Sequence, residues 1–410
     1  MPPTLVVEPS HIGAAARAAA PDGPRFRELD SIRGIAALIV VFHHFFYMWF
    51  YSLMVRTDLR GILWYPLVAG HESVILFFLL SGFVLSVPYL RGSGQSYPIF
   101  LLRRILRIYC PYLCALGLAV AANAVWHGQL PMASIWSSRT WATPANWKDI
   151  SQGILMLGDY NYQRFNTAFW SLVEEMRISI IFPFLFLFAR RVGVRITLLT
   201  AAACCLAIRF ADTGADPNSL INSLQYVAVF LCGILMAQHL DRLAAWYTRL
   251  GRVGRAALVT SSFLLFELSH LTASGLFRGG WRLEEWHIQD WPLVAGAFGL
   301  MLFALESRHA KRVLNSAVLS FLGRISYSLY LVHGTVLFAL AFMLQGRTSW
   351  AIAFAIYLPV TLLLATTFCL LIEEPCMKLG RRLSRSRKKT PAGSYAAADR
   401  ANTRTTVRVA

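Results

Sequence analysis

Windows of about twenty predominantly apolar residues, enough for one helix to cross a bilayer, begin near positions 32, 70, 104, 169, 196, 219, 256, 291, 321 and 350. They predict an all-α, polytopic membrane helix bundle of about ten transmembrane helices. Ten is even, so both termini share a side, and the basic residues choose it. With the N-terminus inside, Arg25 and Arg27, then Arg91, Arg103, Arg104 and Arg107, then Arg190, Arg191 and Arg195 are cytoplasmic. So are Arg242, Arg249, Arg252 and Arg255, then Arg308, Lys311 and Arg312, and the tail from Lys378 to Lys389. The other side keeps Arg56, Arg60, Arg139, Lys148, Arg164, Arg278, Arg282 and Arg347. This excess follows the positive-inside pattern and places both termini in the cytoplasm of a multi-pass inner (plasma) membrane protein.

Composition narrows the class further. At 56% hydrophobic and 15% charged residues, the chain is excluded from the ordinary soluble proteins. The net charge of +18 would suggest nucleic acid, but the basic residues are spread through short loops between apolar runs. Membrane lipids are therefore the expected surroundings, with no nucleic acid partner. Seven cysteines, an odd number found mostly inside the spans, exclude a secreted disulfide framework. Cys110 and Cys114 lie one helical turn apart without further ligands, so packing is expected there and no metal. Residues 1–24, rich in Ala and Pro without an apolar core, read as a disordered cytoplasmic tail and not as a signal peptide. Residues 25–380 form the expected membrane domain, and 381–410 a basic, disordered cytoplasmic tail.

Polar residues inside the spans carry the candidate chemistry, because ionisable groups are costly in a bilayer and commonly mark a functional path. The first span interrupts its apolar run with Arg33, His43 and His44. At about 100° per residue, Arg33 and His44 share a face and His43 turns away. The plainer alternative is a positive-inside anchor at Arg33 with an interfacial histidine, but His44 lies about 16 Å further along the helix.

Further groups stand in later spans. Glu72 opens the second, as a solvated cap or as part of a site, and Ser81-Gly82 lies deep within it, where small residues favour close helix packing. Arg103, Arg104 and Arg107 follow, with Arg103 and Arg107 expected on one helical face. They suit either the phosphates of a cofactor or anionic lipid. In the fourth span Glu174 and Arg177 can pair at three-residue spacing, leaving Glu175 to orient a histidine or bind a hydroxyl. Ser326, Tyr330 and His333 form a polar stripe in the ninth, either bonding other helices or lining a cavity. Glu373 and Glu374 close the tenth, within reach of the cytoplasmic arginines. Two outer segments, 126–169 and 279–291, carry Trp136, Trp141, Trp147, Asp149, Asp159 and Tyr160, and the run GGWRLEEWHIQDW. These are open to two readings, an interfacial aromatic belt or a stacking platform for sugar rings.

The motifs Leu29-Asp30-Ser31-Ile32-Arg33-Gly34 with His44, Phe77-Phe78-Leu79-Leu80-Ser81-Gly82-Phe83, and Arg103-Arg104 with Arg107 and Pro111 occur in order. Trp170-Ser171-Leu172 with Glu175, Ile325 to His333, and Glu374-Pro375 complete the set. Together they resemble the integral-membrane acyltransferase family 3, which moves acetyl or other acyl groups onto extracytoplasmic glycans and some small molecules.

The resemblance implies that Arg33 and His44 are the essential pair, with Glu175 beside them, and that Arg103, Arg104 and Arg107 join Arg33 in contacting acyl-CoA, acetyl-CoA being the expected form. Glu72, Ser81, Tyr330 and His333 would serve the acceptor or support His44, whose tautomer Glu175 or His333 would set. Val-Glu-Glu-Met-Arg after Leu172 departs from the family's single acid. A glycan or hydroxylated small molecule is the expected acceptor, with proteins of a surface-polysaccharide pathway as partners. A transporter or flippase is the alternative, since many spans with buried Arg, His and Glu would serve it too.

Overall fold

The computed structural model describes residues 26–54, 65–92, 95–130, 138–156, 161–210, 220–267, 286–344 and 346–386. The expected N-terminal tail, residues 387–410 of the expected C-terminal tail, Trp136, Asp159, Tyr160 and most of the 279–291 run lie outside these residues, whereas 381–386, expected to be disordered, are helical. Among the described residues there are helices and no strands. We number the helices α1 (Arg27–Met54), α2 (Gly70–Leu90), α3 (Tyr97–Val125), α4 (Trp147–Leu155), α5 (Phe169–Phe210), α6 (Ser223–Gln238) and α7 (Leu240–Arg249). Then follow α8 (Arg252–Phe266), α9 (Trp286–Glu306), α10 (Arg308–Leu314), α11 (Ala317–Leu344), α12 (Trp350–Phe368) and α13 (Glu374–Ser386).

Among the described residues seven helical stretches are long and apolar enough to cross a membrane, against the ten windows expected. One of them, Phe169–Ile208, merges two expected spans. At its bend Gly193 has φ +77°, a left-handed conformation open to glycine and costly to other residues. The expected spans near 256 and 291 are α8 and α9, and α8, at 15 residues, falls short of the crossing length.

Close backbone contacts set how the helices lie. A Cβ on Gly34 would stand 2.5 Å from the Gly323 nitrogen, and one on Gly323 2.5 Å from the Asp30 carbonyl oxygen. Gly34 and Gly323 are 289 positions apart, and so are His44 and His333, which touch. A constant offset means that α1 and α11 run parallel. Helices α2 and α6 are parallel too, since Phe78 meets Tyr226 and Gly82 meets Phe230. By contrast α8 and α9 are antiparallel, with Gly296 against Phe266 and Gly299 against Ser262 and Leu258. We call the end where α1 and α11 begin the lower end, and the end where α2, α6 and α9 begin the upper end.

Two π-helical turns interrupt the lower end, Ile105–Tyr109 in α3 and Cys369–Glu373 between α12 and α13. Each is followed by proline two residues on, Pro111 and Pro375. A proline has no N–H for the carbonyl four residues back and clashes with it, and the wider turn relieves both problems. The Ile108 carbonyl in the first turn accepts from the Tyr327 hydroxyl at 2.9 Å.

Gly323→Ala should lower stability by about 1–3 kcal/mol through overpacking, read as thermal unfolding in detergent. Gly117→Ala, where nothing lies within 4 Å, should leave it unchanged. Equal behaviour of the two variants would refute the close α1–α11 contact.

Candidate active site

The parallel register of α1 and α11 brings His44 and His333 together inside the bundle. His44 Nδ1 lies 2.7 Å from His333 Nε2, and both residues are buried. His333 Nδ1 is 3.1 Å from the Leu329 carbonyl oxygen, and an oxygen of that kind only accepts. The hydrogen-bond network therefore puts the His333 proton on Nδ1 and makes its Nε2 the acceptor. His44 must donate from Nδ1, so its lone pair lies on Nε2. The Tyr357 hydroxyl donates to the His333 carbonyl at 3.4 Å.

The pair lies just past the middle of α1 and α11, level with the start of α2. Neighbouring His43 donates from Nδ1 to the Val68 carbonyl, just before α2, at 2.6 Å and stacks on Tyr47. Gly334 packs on Asn166, a fully buried residue that donates to the Leu331 carbonyl at 3.0 Å and accepts from the Ala168 amide at 3.0 Å. Asn166 thus ties the histidine-bearing turn of α11 to the start of α5. No motif flagged it, because a lone asparagine in a loop carries no periodic signal.

Below the histidines, Tyr330 shares a hydrogen bond of 2.7 Å with Ser171. Deeper still, Glu175 accepts from Arg104 at 2.7 Å and from the Ser81 hydroxyl at 3.3 Å. Arg104, itself buried, also donates to Ser179 at 3.0 Å. The expectation that Glu175 orients a histidine is therefore replaced by an ion pair to Arg104, and His333 is the group that bonds His44. Glu174 pairs with Arg177 at 2.9 Å, as the three-residue spacing suggests. The two adjacent acids thus face different partners.

The arginines divide differently from their sequence spacing. Arg103 donates to Ser384 of α13 at 2.8 Å and turns away from the cluster, whereas Arg104 and Arg107 act on the same charges around Glu175. The π-turn changes the angle per residue after Arg104, so Arg103 and Arg107 do not share a face as expected. Pro111 was the available signal. Arg33 lies within electrostatic reach of Glu175, Arg104 and Arg107, and among the described residues neither Arg33 nor Arg107 makes a hydrogen bond or ion pair. A fork with unused donors beside others suits phosphate.

The remaining expected residues serve other ends of the bundle. Glu72, fully buried, accepts from Tyr65 at 2.7 Å near the upper end. Close by, Asp290 binds His71 at 2.6 Å and Gln225. Ser326 donates to the Gly323 carbonyl of its own helix. Glu374 pairs with Arg324 at 2.5 Å in place of the arginines of the α2–α3 region, and Glu373 accepts from Ser328 at 2.6 Å. Trp141 is fully buried, donating to the Phe165 carbonyl at 2.9 Å, and Asp149 binds Arg164 at 3.1 Å. Both build the folded upper segment and offer no sugar platform, while Trp147 remains exposed.

This site lies inside the part of the chain that a family model recognises. The model described as "Acyltransferase domain" matches residues 26–373. The chain belongs to this acyltransferase family. Acyltransferase MdmB of Streptomyces mycarofaciens is 27% identical over 390 residues, covering 87% of this chain and 93% of that protein. No solved structure matches the chain significantly. With its apolar helices, the protein is a membrane acyltransferase.

Arg104→Ala should destabilise the protein by about 3–5 kcal/mol, because it leaves Glu175 charged, buried and uncompensated. Adding Glu175→Gln should restore part of that loss. Strict additivity in detergent unfolding would show that the two side chains do not act as a pair.

Proposed function

We propose that the protein moves an acyl group, acetyl being the expected one, from cytosolic acyl-CoA to a hydroxyl of an extracytoplasmic glycan or small-molecule acceptor. The observation that carries this reading is the buried His44–His333 hydrogen bond, whose polarity leaves a basic nitrogen at His44 Nε2. In the reaction, Nε2 takes the acceptor's hydroxyl proton while its oxygen bonds to the thioester carbon. The carbon–sulfur bond then breaks, and the same proton passes from His44 to the departing thiolate. An ester and the free thiol result, with His44 returned to its starting tautomer. A positioned base of this kind contributes about 10²–10⁴-fold to rate. His333, by accepting from Nδ1–H, supports the imidazolium during the step.

Arg33 and Arg107 are the proposed phosphate contacts, supported by their unused donors. Arg104 acts on the donor through Glu175, and Arg103 braces α13. Glu72 belongs to the proposed acceptor side, and Tyr330, below the histidines, to the path of the proposed donor's arm. The family membership speaks for acyl transfer over the transporter or flippase alternative. MdmB is named as an acyltransferase, and the acceptor class and any partners in a surface-polysaccharide pathway are our inference.

The ten-span topology with both ends in the cytoplasm draws support from helix direction. Parallel α1 and α11 require an odd number of crossings between them. Splitting 169–208 at Gly193 gives five, or seven with the antiparallel pair α8–α9, whereas counting 169–208 once gives four or six, so helix direction supports the split.

Purified protein given acetyl-CoA and the surface glycan of its own cells should release free thiol and acetylate the glycan. His44→Ala should cut both by at least about 10²-fold, in a protein whose cooperative unfolding in detergent shows it still folded. Full turnover in that variant would sink the mechanism, and glycan uptake into vesicles without thiol release would favour the transporter.

A further inference from the structure

At the lower end, away from the histidine column, a cavity of about 810 Å³ opens among α7, α8, α9 and the start of α10. Its place at that end is fixed by Asn315, just past α10, which donates to Glu28 in the first turn of α1 at 3.1 Å. The lining divides by chemistry. Arg252, Arg255 and Arg308 stand on one side, and Val259 and Phe303 line the part that runs between α8 and α9. Glu306 is the one acid among the described lining residues, so positive charge is in excess.

Arg255 is held in place. It donates to the Thr248 carbonyl at 3.2 Å, and its guanidinium carbon lies 5.0 Å from the centre of the Tyr247 ring. Its Nε is buried without a hydrogen-bond partner. Arg252 lies three residues earlier, on the same face of α8. The helix surfaces beside the cavity are apolar and open, with Val253 83% and Leu264 51% exposed, as expected of residues in contact with lipid chains.

We propose that this cavity is a binding site for one anionic phospholipid. The phosphate sits among the forks of Arg252, Arg255 and Arg308, and one fatty chain runs between Val259 and Phe303. Three features favour this occupant over a soluble anion. The charged part lies at the end of the bundle, where headgroups are found; the apolar part continues from it into the helix-lined region; and the volume lies within the roughly 300–1,000 Å³ of small-molecule sites. Basic pockets between membrane helices recognise anionic headgroups for the same reason. None of these residues belongs to the proposed reaction, so the inference stands apart from it.

The test is native mass spectrometry of the full-length protein in detergent, titrated with phosphatidylglycerol or phosphatidylcholine. We expect a one-to-one phosphatidylglycerol adduct at a tenfold lower lipid concentration than the phosphatidylcholine adduct. Arg308→Glu, a change at an exposed side chain, should remove that preference while leaving the unfolding temperature without lipid unchanged. Arg252→Ala with Arg255→Ala should remove it as well. Equal retention of the two lipids, or an undiminished preference in Arg308→Glu, overturns the proposal. So does inorganic phosphate that raises the unfolding temperature as much as phosphatidylglycerol, since an anion site alone needs no chain. Displacement of the lipid by equimolar acetyl-CoA also overturns it, by assigning the cavity to the donor.

Discussion

The backbone contact between Gly34 and Gly323 is the constraint on which the rest of the bundle depends. Lipid chains are as apolar as leucine, so two membrane helices gain little from burying side chains and associate instead through close packing. With no side chain between them, α1 and α11 have almost no freedom to slide. Ten residues on, about 15 Å along both axes, that register places one imidazole against another. A slip of one turn would part the rings by about 5.4 Å, far beyond any hydrogen bond.

Charge inside the bundle follows a second constraint. A buried ion must be paired and hydrogen-bonded or its desolvation outweighs what its partner returns. Glu174 meets Arg177, Glu175 meets Arg104 with Ser81, and Asp290 meets His71 with Gln225. Arg33, half-buried, departs from this pattern beside an already neutralised pair, and the exposed Arg107 stands next to it. The charge of Arg33 is offset only at a distance, by Asp30 and Glu175, and that of Arg107 by Glu175 and Glu373, and so both are available to an incoming anion. Fully paired ions read as structure, and these two arginines read as a place for a ligand.

How much of this could be seen in the sequence depends on whether a feature repeats at the helical period. Apolar windows located the helices, down to the break at Gly193, because hydropathy is additive over a turn. The family motifs found both histidines, and the spacing of Glu174 and Arg177 found their pair. What periodicity could not show was any departure from it. An ideal 100° step placed Arg103 beside Arg107, but Pro111 imposes a wider turn, and Arg104 takes the inward position instead. Asn166 and Trp141 escaped notice or were misread because loop residues are positioned by tertiary contacts alone. The partner of Glu175 lies on α3, across the bundle, and no local spacing encodes it.

The unequal placing of the two clusters bears on which substrate the proposed reaction must thread. His44 lies just past the middle of α1, next to the loop that precedes α2, whereas Arg33 and Arg107 lie toward the lower end. Arg33 and His44 are about 16 Å apart along their shared helix. A donor gripped by its phosphates at the lower arginines must therefore send a thin arm past Tyr330 and Ser171, and the pantetheine of CoA is such an arm. The proposed acceptor comes from the other side, past the loop that precedes α2 and the upper turns of α1 and α11. A bulky glycan can then remain outside with one hydroxyl inserted. By this geometry the proposed donor must be slender over the length between the arginines and His44, whereas the proposed acceptor need insert only one hydroxyl.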